Sequence, residues 1–131
     1  MLHVKTKVMP STIPEAGMGL FADEDIPKGT IVWSYVENVD SSVLDSDVEK
    51  MSKEERDKFI LHAFRCTKTG YWIACYDGGQ YVNHSEDPNL GQYDLDTDSV
   101  YADVALRDIL KGEELFDNYY EYDMDGSRKL Q

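Results

Sequence analysis

The chain alternates short apolar segments with polar turns, and this pattern predicts several short strands. The opening HVKTKV (residues 3–8) alternates polar and apolar side chains, which is typical of a strand with one buried face. Three later segments, 30–36, 71–76 and 99–109, are rich in β-branched and aromatic residues that favour strands. A last aromatic-rich segment covers residues 115–122. Many short strands separated by turns predict a mainly β domain.

One convincing helical pattern follows Ser52. This residue stands three positions before Glu55, which is the spacing of a capping box. Apolar residues within 59–64 then repeat at helical intervals, so a helix is predicted from about Ser52 to about His62. The acidic segment 38–50 before it predicts a surface loop or a frayed helix. The fold class predicted from both patterns is α+β, mainly β with short helices.

The net charge of the 131-residue chain is −13, which is large for its length. A negative surface repels nucleic-acid phosphates and attracts cations, so we expect no direct nucleic-acid binding and a Lys- or Arg-rich partner. An acidic surface also keeps a small protein soluble, and charge alone favours this plainer explanation. The length predicts one domain spanning residues 1–131.

Cysteine and histidine are too few to predict a metal site. Cys66 and Cys75 are the only cysteines and cannot build a four-cysteine zinc site, so we expect reduced, buried thiols. His3 and His62 stand at no ligand spacing from His84, and no metal is expected. No apolar run is long enough for a signal peptide or a membrane span, which predicts a soluble, intracellular protein without membrane contact.

The segment QYVNHSEDPN (80–89) concentrates polar side chains between two apolar stretches. Its Asn83 and His84 allow three interpretations: a metal corner, a catalytic triad or a polar turn. A triad would need a nucleophile elbow or an oxyanion glycine near Ser85, and the sequence has neither. In a turn, four side chains would satisfy backbone donors around the proline: Asn83, Ser85, Asp87 and Asn89. The segment alone supports a turn and a functional site equally.

Two further motifs are weak when taken singly. The glycines of GMGLFA (17–22) allow a backbone path that side chains would block, but such pairs are common in turns. They do not form the dinucleotide fingerprint, because the third glycine and the following helix are missing. The tyrosines of GEELFDNYYEY (112–122) are explained equally well as amphipathic core residues.

Taken in order, the three motifs resemble those of SET domains, the protein-lysine methyltransferases. A G-x-G-[LVF]-F-A start, an N-H-S-x-x-P-N centre and a G-E-E-L…Y close are all present, and the resemblance runs from Glu15 to about Tyr122. It implies a β-clip-like fold of small sheets with a pseudoknot-like C-terminal segment. The cysteine-rich, zinc-binding segment that follows many SET domains is absent, so residues 120–131 would complete the substrate channel.

The resemblance implies S-adenosylmethionine as the cofactor and a lysine amine as the methyl acceptor. Tyr119 corresponds to the family's catalytic tyrosine and would also contact the cofactor. The other implied cofactor-binding residues are Gly17, Met18, Gly19, Asn83 and His84. The implied substrate channel contains Phe64, Tyr71, Tyr76, Asp117, Tyr120 and Tyr122.

Two of these positions depart from the family pattern. Phe64 stands where the small viral members have a second tyrosine, and it would wall the channel without hydrogen bonding. Tyr71 and Tyr76 are the alternatives for that role. Asp117 stands two residues before Tyr119, where some members place the Phe or Tyr that limits the number of methyl groups added.

The implied substrate is a basic protein such as a histone tail, in agreement with the negative charge. Small viral members dimerise, so a homodimer is a further expectation, with a location in cytoplasm or nucleus. Two alternatives stay open. One is a SET-fold module that binds cofactor or a basic peptide but transfers methyl poorly. The other is a non-enzymatic β-clip or SAF-type domain, which would need neither NHSEDPN nor the closing tyrosine.

Overall fold

The structure is a computed structural model that describes residues 1–36, 40–66, 70–93 and 102–122, except for the side chains of residues 62, 93, 121 and 122. Within them, the strands are β1 (Thr6–Pro10), β2 (Met18–Ala22), β3 (Ile31–Ser34), β4 (Ser41–Val43), β5 (Ala63–Arg65), β6 (Trp72–Ala74), β7 (Asn83–His84), β8 (Leu90–Tyr93), β9 (Ala102–Ala105) and β10 (Phe116–Asp117). The helices are α1 (Asp45–Glu49), α2 (Lys53–His62) and α3 (Tyr119–Tyr122), with a 3₁₀ turn at Gly79–Tyr81.

The described strands form four small sheets. Strands β1 and β2 make an antiparallel hairpin, while β3-β9-β8 and β4-β6-β5 are three-stranded antiparallel sheets. The fourth sheet is the parallel pair β7-β10, in which Asn83 lies opposite Phe116 and His84 opposite Asp117. The predicted fold class, mainly β with small sheets and short helices, is confirmed.

The segment 113–119, called the closing segment below, is held between β2 and β7. The Leu115 amide donates to the Leu20 carbonyl (2.8 Å), and the Ala22 amide donates to the Glu113 carbonyl (2.9 Å). Immediately afterwards, β10 pairs with β7. The segment that carries Tyr119 is therefore fastened to both of the earlier motifs, as a pseudoknot-like closing segment must be.

Apolar burial separates into three clusters that position these sheets. The first joins the hairpin and the β3-β9-β8 sheet through fully buried residues that include Leu20, Val32, Leu90 and Leu115. The second contains Trp33, Phe64, Cys66, Ile73 and Cys75, with Tyr119 packed against it. The third lies beneath α1 and α2 and contains Val48, Ile60, Ala63, Trp72 and Ala74.

The predicted helix is confirmed at its start, where the Glu55 amide donates to Ser52 Oγ (3.1 Å) and the Ser52 amide to Glu55 Oε2 (3.3 Å). The helix also ends at His62, as predicted, and residues 63 and 64, which follow the same helical spacing, begin β5. Pairing with β6 satisfies their backbone groups there.

Several predicted boundaries differ from the structure. The first strand starts at Thr6 rather than His3. Part of the segment expected as loop or frayed helix forms β4 and α1, and Val48 is buried in the third cluster. Neither β5 nor β8 was predicted. No described helix is long and apolar enough to cross a membrane.

Candidate functional site

The two glycines of the first motif serve different needs. Gly17 has a φ of +77°, in the left-handed region that favours glycine. Gly19 is buried, and a Cβ placed on it would lie 2.5 Å from Glu114 Oε2 and 3.3 Å from Asn83 Nδ2. The missing side chain at position 19 therefore lets the carboxylate of the third motif reach the amide of the second.

Glu114 lies at the centre of the junction where the three motifs meet, and only 5% of its surface is exposed. Its Oε1 accepts from the Thr12 amide (2.7 Å) and Thr12 Oγ1 (2.7 Å). Its Oε2 accepts from Ser11 Oγ (2.8 Å) and Asn83 Nδ2 (3.1 Å). Burial raises the pKa of the carboxyl, but the hydrogen bonds from Thr12, Ser11 and Asn83 outweigh it and lower the pKa overall.

The Asn83 side chain joins β2 to this carboxylate. Its Nδ2 donates to the Met18 carbonyl (3.0 Å) as well as to Glu114 Oε2. Among the described residues, no hydrogen bond reaches Asn83 Oδ1. Residues 17–19 and Asn83, which the family resemblance assigns to the cofactor, thus lie at one place in the fold.

Asn89 does not have the local turn role that the sequence suggested for it. It is 2% exposed, its Nδ2 donates to the Glu114 carbonyl (2.8 Å), and its Oδ1 accepts from the Phe116 amide (2.8 Å). The local turn is formed instead by Ser85 Oγ, which accepts from the Asp87 amide (3.1 Å). Asn89 therefore fastens the closing segment next to the second motif.

His84 connects the second motif to the closing tyrosine. Its Nδ1 accepts from the Tyr119 amide (3.1 Å), which places the proton of a neutral ring on Nε2. The His84 ring centroid lies 5.3 Å from that of Tyr119 and 5.4 Å from that of Tyr120. The Tyr119 hydroxyl donates to the Val82 carbonyl (2.6 Å).

A cavity of about 60 Å³ lies between the second cluster and the closing segment. Its wall includes Trp33, Phe64, Val82, Asp103, Asp117 and Tyr119. The rings of Trp33 and Phe64 pack edge to face with their centroids 6.4 Å apart, and both residues are buried. The cavity thus combines an aromatic wall, the closing tyrosine and two buried aspartates.

The structure groups only part of the predicted channel set around this cavity. Phe64, Asp117 and Tyr119 line it. Tyr71 is 46% exposed and Tyr76 is 66% exposed, and neither is among the described residues of the wall. Tyr120 is 57% exposed and packs against His84 instead. The Tyr122 side chain and residues 123–131 of the predicted channel-completing tail lie outside the described part of the chain.

Cys75 also lines the cavity, and its thiol is free. Burial, followed by the charge of Asp40, raises the pKa of this thiol far above its usual range. The thiol is therefore protonated at neutral pH and is not a nucleophile. Among the described residues, no group of three or more His, Cys, Asp or Glu side chains is placed to hold a metal ion.

Sequence reasoning missed the residues that connect the motifs. The GEEL motif contains Glu114 without predicting its contacts, and the sequence predicts only a turn role for Asn89. Trp33 was assigned to a strand and not to a cavity wall. The residues on either side of Asn89, from Ser85 to Gln92, are mostly polar or turn-forming, so local sequence gives no signal that this side chain is buried.

Curated relatives match most of this chain. A histone-lysine N-methyltransferase of Drosophila melanogaster, trr, is 32% identical over 113 residues, 83% of this chain and 4% of its own length. The putative histone-lysine N-methyltransferase ASHH4 of Arabidopsis thaliana is 28% identical over 126 residues, 89% of this chain and 34% of its own length. The chain thus spans about a third or less of these two relatives.

Solved structures agree with these matches. The Chaetomium thermophilum Polycomb Repressive Complex 2 bound to GSK126 superposes with a TM-score of 0.72 and 26% identity, covering 97% of this chain and 17% of the matched one. An autoinhibited form of that complex bound to S-adenosylmethionine gives a TM-score of 0.68 and 27% identity, covering 97% and 16%. The SET-domain profile matches residues 17–120, which hold the first two motifs, the third as far as Tyr120, and the Gly19, Asn83 and Glu114 contacts. The chain therefore belongs to the SET-domain family.

Proposed function

We propose that this chain is a protein-lysine N-methyltransferase that uses S-adenosylmethionine and acts through Tyr119. One observation carries the proposal. The closing tyrosine lies on the wall of a cavity lined by aromatic side chains and is fixed through Val82 and His84 to the segment that also holds Asn83. The names of the relatives, which are histone-lysine N-methyltransferases, support the same activity.

The residues around Gly19 fit the cofactor by their chemistry. Gly17 leaves open space where a side chain would stand, and the neighbouring Met18 carbonyl is bonded to Asn83, whose Oδ1 is available as an acceptor. S-adenosylmethionine carries an α-ammonium group that needs such an acceptor, and when bound it supplies a sulfonium methyl as the electrophile. Gly17, Met18, Gly19, Asn83 and His84 would hold it.

Tyr119 and the aromatic wall prepare the acceptor amine. A lysine amine loses its proton at pH 7 at a cost of about 4–5 kcal/mol, and only the neutral form can accept a methyl group. Burial behind Trp33 and Phe64 disfavours the ammonium form. The Tyr119 hydroxyl donates its hydrogen bond to the Val82 carbonyl, so its lone pairs can accept a hydrogen bond from the amine and orient it.

The substrate proposed is a basic protein segment such as a histone tail. The charge of −13 would attract a Lys-rich chain and raise the rate of encounter at low ionic strength. Raising the salt concentration should therefore lower kcat/KM for a basic peptide more than for a neutral peptide of equal length.

A second candidate is a module that binds a lysine side chain but transfers methyl poorly. Asp103 and Asp117 are buried and line the same cavity. If ionised there, they would favour the ammonium form of the lysine, which opposes transfer. If this effect dominates, Asp117→Asn should raise the rate of transfer from a low starting value.

The test is transfer of radiolabelled methyl from S-adenosylmethionine to a panel of basic proteins. Tyr119→Phe should lower transfer about 100-fold or more while calorimetry still detects the cofactor. Tyr76→Phe is the matched control, because it removes a hydroxyl from a ring outside the cavity wall. Cofactor binding without transfer to any protein would favour the binding module, and no cofactor binding would refute the methyltransferase.

A further inference from the structure

We propose that Glu114 is a positioning residue that fixes the side-chain amide of Asn83, so that Oδ1 and not the NH₂ group is presented to the α-ammonium group of the cofactor. The inference rests on the proposed function. It gives a role to a carboxylate that the methyl-transfer chemistry itself does not use.

The orientation of the Asn83 amide is determined by its neighbours. The atom between the Met18 carbonyl (3.0 Å) and Glu114 Oε2 (3.1 Å) must be a donor, since a carbonyl and an ionised carboxylate only accept. That atom is therefore the nitrogen, and both of its hydrogens are used. Oδ1 is left as an acceptor on the other side of the amide.

Glu114 can impose this orientation because its own position is determined. Oε1 accepts from the Thr12 amide and from Thr12 Oγ1, both at 2.7 Å, while Ser11 Oγ lies 2.8 Å from Oε2. These bonds favour the ionised form, and the pKa of the carboxyl is lowered. Gly19 leaves the space that Oε2 occupies, since a Cβ there would lie 2.5 Å away.

Glu114→Gln should remove the fixed orientation of the Asn83 amide. The two Thr12 donors require an oxygen at the Oε1 position, so the glutamine NH₂ takes the Oε2 position and faces Asn83. In its present orientation the Asn83 NH₂ then opposes another NH₂ group, and in the reversed orientation Oδ1 opposes the Met18 carbonyl. Neither orientation satisfies both neighbours, so Oδ1 is no longer held outward as an acceptor for an ammonium group.

The experiment compares two ligands by calorimetry: S-adenosylhomocysteine and its analogue in which hydrogen replaces the α-amino group. In the wild-type chain we expect the amino group to improve binding about tenfold or more, equal to about 1.4 kcal/mol. In Glu114→Gln this ratio should fall towards one, while the affinity for the deamino analogue changes little. Weak analogue binding is measured by displacement of S-adenosylhomocysteine.

Glu113→Gln is the matched control within the same motif. Glu113 is paired with Arg107 (3.1 Å) and makes no described contact with Asn83, so the ligand ratio should stay at the wild-type value. If Glu114→Gln does not fold, Glu114→Asp keeps the charge but cannot reach Thr12 and Asn83 together, and it carries the same expectation.

An unchanged ligand ratio in a folded Glu114 variant would overturn the positioning role. An equal loss for both ligands would also overturn it, because it indicates support of the fold alone. Failure of the wild-type chain to bind either ligand would instead refute the proposed cofactor, and so separates the two proposals.

Discussion

Removing the Asn89 side chain should destabilise the closing segment more than removing an exposed polar side chain from the neighbouring turn at Ser85. Asn89→Ala deletes two hydrogen bonds of 2.8 Å, one to the Glu114 carbonyl and one from the Phe116 amide. The remaining backbone bond, from the Leu106 amide to the Asn89 carbonyl, is unaffected. The two lost partners stay in the protein without a replacement.

The magnitude follows from burial. A buried donor or acceptor that loses its partner costs about 1–3 kcal/mol, so two such groups give about 2–6 kcal/mol. A domain of this size is stable by about 5–15 kcal/mol, so the variant should fold but with a large fraction of its stability lost. The control is Ser85→Ala, which removes one exposed bond to the Asp87 amide and should cost less than about 1 kcal/mol.

Urea denaturation gives the free energy of unfolding of the two variants and the wild-type chain. Hydrogen exchange then locates the effect, and amides of residues 114–119 should lose protection before those of α2. A destabilisation of Asn89→Ala below about 1 kcal/mol, equal to that of Ser85→Ala, would refute the inference that Asn89 fastens this segment.

Two further predictions concern charge and capping. The pKa of Glu114 is lowered on folding, so its contribution to the free energy of unfolding is fully present above the unfolded pKa of 4.5 and is lost as pH falls through the folded pKa. When pH is lowered from about 6 to about 2.5, the urea midpoint should therefore fall more steeply for the wild-type chain than for Glu114→Gln. Ser52→Ala removes the capping box of α2 and should cost about 1 kcal/mol, measured by thermal unfolding, whereas an unchanged midpoint would contradict a role for the cap.

Local sequence determined the elements whose signals lie within a few residues. The capping box at Ser52 and the β-branched, aromatic composition of 30–36 and 71–76 predicted α2, β3 and β6 without knowledge of the fold. Short two- or three-residue strands such as β5 and β7 carry too little pattern, because they exist only through pairing with a distant partner. The single-domain prediction and a homodimer stay predictions.

The motifs themselves were visible in the chain, and their order sufficed to indicate the family. Their meeting point was not visible, because hydrogen bonds between residues 65 to 103 positions apart depend on topology and not on local spacing. Only the tertiary structure shows that the missing side chain of Gly19 leaves room for the Glu114 carboxylate. It alone shows that Asn89 joins the second motif to the closing segment. The sequence by itself therefore determined which side chains are present. The long-range packing of β2, β7 and the closing segment decided which of them face one another.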